Sequence, residues 1–145
     1  MKTDRILILT DDTPSCDNVA RFGFNLAMGL AAEVLLLSVI EPMMTAGNTD
    51  AGIFPDDALM TQKNKTRDIL AGIRNKYGTG LRTETLIREG EILATVMDVI
   101  QSLGIDLVIA GSKTSHGLSK LLGDDIAKSI IRHSPVPVCI VPLIN

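Results

Sequence analysis

Three stretches of this chain are apolar with almost no alternation: Ile6–Leu9, Glu33–Ile40 (EVLLLSVI) and Ile105–Ala110 (IDLVIA). A strand with one face in water alternates polar and apolar residues with a period of two. A strand covered on both faces has no reason to. Runs of this kind need a layer of helices on each side, so they predict an α/β protein with a buried parallel sheet. The composition fits: hydrophobic residues make up 46%, aromatics only 3%, and there is no Trp. The core must be packed from Ile, Leu, Val, Ala and Met.

The segments between these runs carry helical periodicity. Thr13-Pro14 is a helix start, with a capping residue followed by Pro at the first helical position. The helix is expected to run to about Ala31, with the small-rich face Ala20, Phe24, Ala27 and Ala31. Glu41–Pro55 has no period and reads as a long excursion loop. Asp56 or Asp57 would cap the next helix, which reaches about Tyr77 with Ile69, Ile73 and Tyr77 on one face, and Gly78-Thr79-Gly80 ends it. Arg82–Arg88 (RTETLIR) alternates and is more polar, as expected of an edge strand. From Glu91 a strong stripe follows, Ile92, Val96, Val99, Ile100 and Leu103, closed by Gly104. After Ile105–Ala110 come a glycine-punctuated loop, a helix over Asp124–His133 and a strand over Val136–Val141. Pro135 and Pro137 push that strand to an edge. Five strands alternating with four helices give an open parallel sheet with right-handed crossovers and helices on both faces, a Rossmann-like arrangement. At 145 residues, with no repeat or low-complexity tract, positions 1–145 read as a single domain.

Several function classes fall away on charge and composition. A net charge of −3 and the scarcity of aromatics leave neither a basic surface nor stacking platforms for nucleic acid. No window is long and apolar enough for a membrane span, and the first residues do not form a signal peptide, so a cytoplasmic protein is expected. Cys16 and Cys139 fall in a helix start and a buried strand, which makes neither a disulfide framework nor a metal site. His116 and His133 have no ligand partners at suitable spacing, and no metal is expected. Catalytic constellations are thin: there is no GxxxxGK[ST], and no GxGxxG follows the first strand. Ser15-Cys16 has no nearby base and reads as part of the core.

The remaining chemistry lies where a doubly wound sheet puts it, outside the carboxyl ends of the strands at the point where strand order reverses. If the first and fourth strands flank that point, Thr10-Asp11-Asp12 faces Gly111-Ser112-Lys113 across a crevice. Asp11 would accept from a base amine or a ribose, and the loop after Gly111 would take phosphate on backbone amides. On the other reading Asp12 or Thr13 caps the first helix and Asp11 is simply exposed.

Taken in order, Thr10-Asp11, SVIEP at Ser38–Pro42, REGEI at Arg88–Ile92, IDLVIAGSK at Ile105–Lys113 and HSPVPVCIVP at His133–Pro142 resemble the universal stress protein family over nearly the full length. The resemblance implies a five-stranded parallel sheet in the order 3-2-1-4-5 and a homodimer formed through the last strand, here Val136–Ile144. Some members bind ATP between the first and fourth strands and some do not. By resemblance Asp11 and Val39 line the adenine and ribose pocket, with Ala110 and Gly111 beneath the ribose. ATP-binding members carry Gly, two residues, Gly, nine residues, Gly, then Ser or Thr. Counted from Gly111, those later positions fall on Thr114, Asp124 and Asp125. Thr114 puts a Cβ where phosphate wants bare backbone, and two carboxylates sit at the helix start that would receive it. The expected function is therefore a dimeric, non-catalytic stress-response module with weak or no ATP binding. The alternative is an ATP-binding switch with slow hydrolysis or autophosphorylation. There Gly111, Ser112, Lys113 and Gly117 would take the phosphates, and Asp124 or Asp125 a Mg²⁺ ion.

Overall fold

A computed structural model describes residues 2–11, 16–42, 55–112 and 126–142. Within them the chain alternates strictly: β1 (Arg5–Thr10), α1 (Cys16–Leu30), β2 (Glu33–Ile40), α2 (Pro55–Tyr77), β3 (Thr83–Glu89), α3 (Ile92–Ser102), β4 (Leu107–Ser112), α4 (Ile126–His133) and β5 (Val138–Pro142). The strands form one parallel sheet in the order β3-β2-β1-β4-β5. The two uniformly apolar strands β1 and β4 are central neighbours, and polar β3 and proline-flanked β5 are the edges, as their sequences predict.

The period of two sorts each central strand between two cores. Ile6, Ile8, Val34, Leu36 and Ile109 face one way and pack under α1 and α2 through Phe24, Ala27, Leu70 and Ile73. Leu7, Leu35, Leu37 and Val108 face the other way, under Val96, Val99 and Ile100 of α3 and Ile130 of α4. Most of these side chains are fully buried, each worth roughly 1.5–3 kcal/mol of transfer free energy relative to exposure. The small face of α1 allows a very close approach: a Cβ built on Gly23 would lie 2.5 Å from Ile8 Cδ1 and 2.8 Å from Ile8 Cγ1, so any larger residue there would have to displace the Ile8 side chain.

Several boundaries differ from the sequence expectation, each for a local reason. α1 stops at Leu30, and Ala31, expected on its buried face, is exposed with φ 53; the Ala32 N–H donates to the Ala27 carbonyl at 2.9 Å, closing the helix end. α2 starts at Pro55, so Asp56 and Asp57 lie inside its first turn instead of capping it. Pro suits a first helical position because it has no N–H to satisfy there. β4 starts at Leu107 and runs on to Ser112, two residues later than expected, because the Ile105 N–H is used by the Ile100 carbonyl at 3.1 Å to finish the turn after α3. β5 starts at Val138: Pro137 has no N–H for the ladder and contributes only its carbonyl, which accepts from Val108 N at 3.0 Å. The expected helix start at Thr13-Pro14, the excursion from 43 to 54 and the glycine loop from 113 to 125 lie outside the described residues.

Candidate functional site

At the carboxyl ends of β1 and β4 the sheet opens on a small cavity of about 60 Å³. β1 and the residue after it supply Leu9, Thr10 and Asp11, and β4 supplies Ala110 and Gly111. Cys16 and Val19 of α1, Ile92 of α3 and Ile126 of α4 close the sides. The wall is mainly apolar. The Thr10 hydroxyl is buried and donates to the Leu37 carbonyl at 3.0 Å, so it ties β1 to β2. Asp11 is a half-buried carboxylate at the rim. Among the described residues, no Lys or Arg lines this cavity.

The rim beside Ile92 is built by the turn from β3 into α3. Gly90 has φ 146 and passes its N–H to the Ile40 carbonyl at 3.0 Å; a Cβ there would meet Thr95 Oγ1 at 2.9 Å, and the backbone angle itself disfavours any other residue. Glu91 then caps α3 from extended backbone, its two carboxylate oxygens accepting from Leu93 N at 3.1 Å and Ala94 N at 2.8 Å. Glu41, just beyond β2, reaches across and accepts from Ile92 N at 3.2 Å. The first three amides of α3 therefore each donate to one of the protein's own carboxylates, as the positive end of a helix dipole favours. Nearby, Lys63 of α2 pairs with Glu89 at the end of β3.

Next to Cys16, Asp17 sits in the first turn of α1 and bonds to α2. The Tyr77 hydroxyl donates to it at 2.7 Å and the Lys76 ammonium at 3.1 Å. The Tyr77 hydrogen bond is the main reason the Asp17 carboxyl lies below its ordinary range, with Lys76 and Arg21 adding to it. Lys76 is raised by Tyr77 first and Asp17 second. Tyr77 also stacks on Phe24, with ring centroids 6.1 Å apart.

Of the residues the sequence singled out, Asp11, Ala110 and Gly111 meet at the cavity. Ser112 ends the last row of β4 without lining it, and Val39 packs half-buried in the core beneath α3. Lys113, Thr114, Gly117, Asp124 and Asp125 lie outside the described residues. Sequence reasoning read Cys16 and Ile92 as core and did not single out Ile126; all three, the first residues of α1, α3 and α4, line the cavity. An apolar residue at the first position of such a helix carries no separate signal, because a core residue there looks the same. Glu41 was missed as well. Among the described residues no group of three or more His, Cys, Asp or Glu is placed to hold a metal ion. No described helix is long and apolar enough to cross a membrane.

A parallel doubly wound sheet with a cavity at its switch point defines a class of α/β proteins whose ligands sit over the strand ends. The family model of the universal stress proteins matches residues 2–142, and the chain belongs to that family. It is 22% identical over 139 residues to a universal stress protein of Methanocaldococcus jannaschii, covering 94% of this chain and 81% of that one. Its fold is similar to that of the universal stress protein UspA from Lactobacillus plantarum, with a TM-score of 0.83, 16% identity and coverage of 97% and 99%. It is also similar to a universal stress protein from Archaeoglobus fulgidus solved in complex with dAMP, with a TM-score of 0.64, 16% identity and coverage of 97% and 98%.

Proposed function

We propose that this chain is a non-catalytic stress-response module, one domain over 1–145, acting in the cytoplasm as a homodimer. Its crevice over β1 and β4 takes a ligand without holding ATP tightly. The observation that carries this reading is the charge of the crevice. Its described wall has the carboxylate Asp11 and no cation, and the phosphate loop of the sequence offers Thr114, Asp124 and Asp125 where bare backbone and a hydroxyl would serve a triphosphate. That an Archaeoglobus relative of the same fold was solved with dAMP supports placing a ligand here, over Asp11, Ala110 and Gly111. Lys113 and Gly117 of the sequence's phosphate loop complete the proposed surround. β5 supports the dimer: an edge strand whose Val138, Cys139, Ile140 and Val141 are half-buried within one chain gains by being covered, through 136–144, by a second copy.

Calorimetry with Mg-ATP at millimolar concentration tests the ligand reading. Little or no heat is expected, and none of it should depend on Asp11 by comparison with Asp11→Ala. Recovery of ATP or ADP from protein purified without added nucleotide, or release of phosphate from Mg-ATP, would overturn it. Light scattering at micromolar concentration tests assembly: the expected mass is twice 15.5 kDa, and a monomer rejects the dimer.

A further inference from the structure

β3 is an edge of the sheet, and among the described residues no strand pairs with its outer side. Its ladder to β2 decides which backbone groups are left over. Val34 N donates to the Arg82 carbonyl, and Gly90 N to the Ile40 carbonyl. In a parallel pair of this register, Glu84, Leu86 and Arg88 turn their backbone groups to β2. Thr83, Thr85, Ile87 and Glu89 turn theirs outward, a template for one more strand. The same four residues lie on the α2 side of the sheet, where Ile87 packs. α2 follows this edge: Lys63 pairs with Glu89 at one end of β3. At the other end a Cβ on Gly78 would meet both Thr83 Oγ1 and the stem of Arg74. Lys63, Arg67 and Arg74 stand at i, i+4 and i+11 of α2 and so share this flank. Arg67 and Arg74 are exposed, and among the described residues neither has a carboxylate partner. The whole chain carries −3, so this flank is a local basic strip beside an open edge. On the α3 side the edge shows Glu84 and Arg88, which offset each other.

We propose that the β3 edge docks an extended acidic segment of a partner protein, which adds to the sheet as a further strand. Its backbone takes the outward N–H and C=O groups of Thr83, Thr85, Ile87 and Glu89. Its carboxylates, at every second position, meet Arg67 and Arg74. The spacing suits this. Arg67 and Arg74 lie about 10 Å apart along the helix axis, and same-side residues of a strand recur about every 7 Å. The long arginine side chains cover the mismatch. A second copy fits poorly, because pairing across a twofold axis would set Lys63, Arg67 and Arg74 against their own counterparts. The surface is separate from the crevice over β1 and β4 and from β5, at the opposite edge.

The test is fluorescence anisotropy with three short labelled peptides, capped at both ends. One alternates Glu with Thr and one alternates Lys with Thr. The third is the Glu peptide N-methylated at two adjacent central residues, which keeps every charge and removes a ladder N–H whichever way the segment runs. The Glu peptide is expected to bind, about tenfold more tightly than the Lys peptide, with the gap shrinking as ionic strength rises. N-methylation should weaken it about fivefold. Arg67→Gln and Arg74→Gln should each weaken it about threefold, as exposed pairs do. Lys76→Gln, on the flank that pairs with Asp17 of α1, should leave it unchanged. Thermal midpoints establish that the variants are folded. Silence from the Glu peptide overturns the proposal. So does equal binding of the N-methylated peptide, which would mean charge without a ladder, or indifference to both arginines. A dimer that dissociates to monomer on Arg67→Glu would put a second copy on this edge instead, and would overturn it too. None of these outcomes touches the reading of the crevice.

Discussion

The two ends of the sheet settle their carboxylates on different partners. At the amino end Asp4, Glu33 and Asp106 meet a cation or backbone amides that neutralise or satisfy them. Asp106 accepts from Asp4 N and Arg5 N at 2.9 and 3.0 Å. The Arg5 guanidinium donates to the Leu103 carbonyl at 2.7 Å and lies 3.4 Å from Glu33, which also pairs with Arg82 at 3.1 Å. At the carboxyl end Glu41 and Glu91 are used on amides of α3, Asp11 stands at the cavity rim, and no described Lys or Arg lines the wall. The strands, their register and their helices are shared by both ends, so the difference lies in a few side chains at the strand tips. At the amino end Arg5, Glu33, Arg82 and Asp106 cross-link separate elements of the chain. At the carboxyl end the described wall of the cavity carries Asp11 without a Lys or Arg.

The largest effect should come from cutting the knot at the amino end. Arg5→Ala removes a charge-assisted bond to Leu103 and the packed stem of a side chain only 31% exposed; a loss of about 2 kcal/mol is expected from urea unfolding. Arg82→Ala, at a side chain 77% exposed, should cost about 0.5 kcal/mol or less. Equal losses from the two would mean that the amino end is held by diffuse charge and not by the buried Arg5 contacts. Glu91→Ala comes between them at about 1 kcal/mol, since it frees two α3 amides at an exposed helix start. A loss as large as that of Arg5→Ala would show the carboxyl end to be as tightly tied as the amino end, and the contrast would fail.

How much of this was readable in the sequence depends on whether a residue's role is local. The core strands were legible because double-sided burial leaves an unbroken apolar run, and the switch point followed from which runs were purest. The positions of Asp11, Ala110 and Gly111 at the strand tips were legible because they lie at the ends of those runs. Ile105 misled because it is as apolar as a strand residue, yet its amide is committed to the turn behind it. Cys16, Ile92 and Ile126 were hidden because an apolar residue at a helix start looks the same whether it fills a core or lines a cavity. Glu41 could not be seen: its partner Ile92 is 51 residues away, and the sequence at Glu41-Pro42 reads only as the start of a loop.

The smallest expected effect sharpens the contrast on the cavity's own side. Asp17, beside cavity-lining Cys16, is a carboxylate that accepts from a phenol and an ammonium of α2. Its folded pKa lies below the ordinary 3.8, held there first by the Tyr77 hydroxyl. The stabilisation is thus fully present above that ordinary value and is lost as pH falls through the lower folded value. Tyr77→Phe keeps the stacking on Phe24 and removes only the hydroxyl. It should cost roughly 0.5 kcal/mol at neutral pH, a figure kept small because the Asp17 side chain is 46% exposed. Most of that difference from wild type should disappear below the ordinary carboxyl range, where Asp17 is protonated in both folded and unfolded chains. Thermal melts of the two proteins between pH 2 and 7 measure it. A difference that persists unchanged at pH 2 would mean that the hydroxyl acts by packing and not through the Asp17 carboxylate.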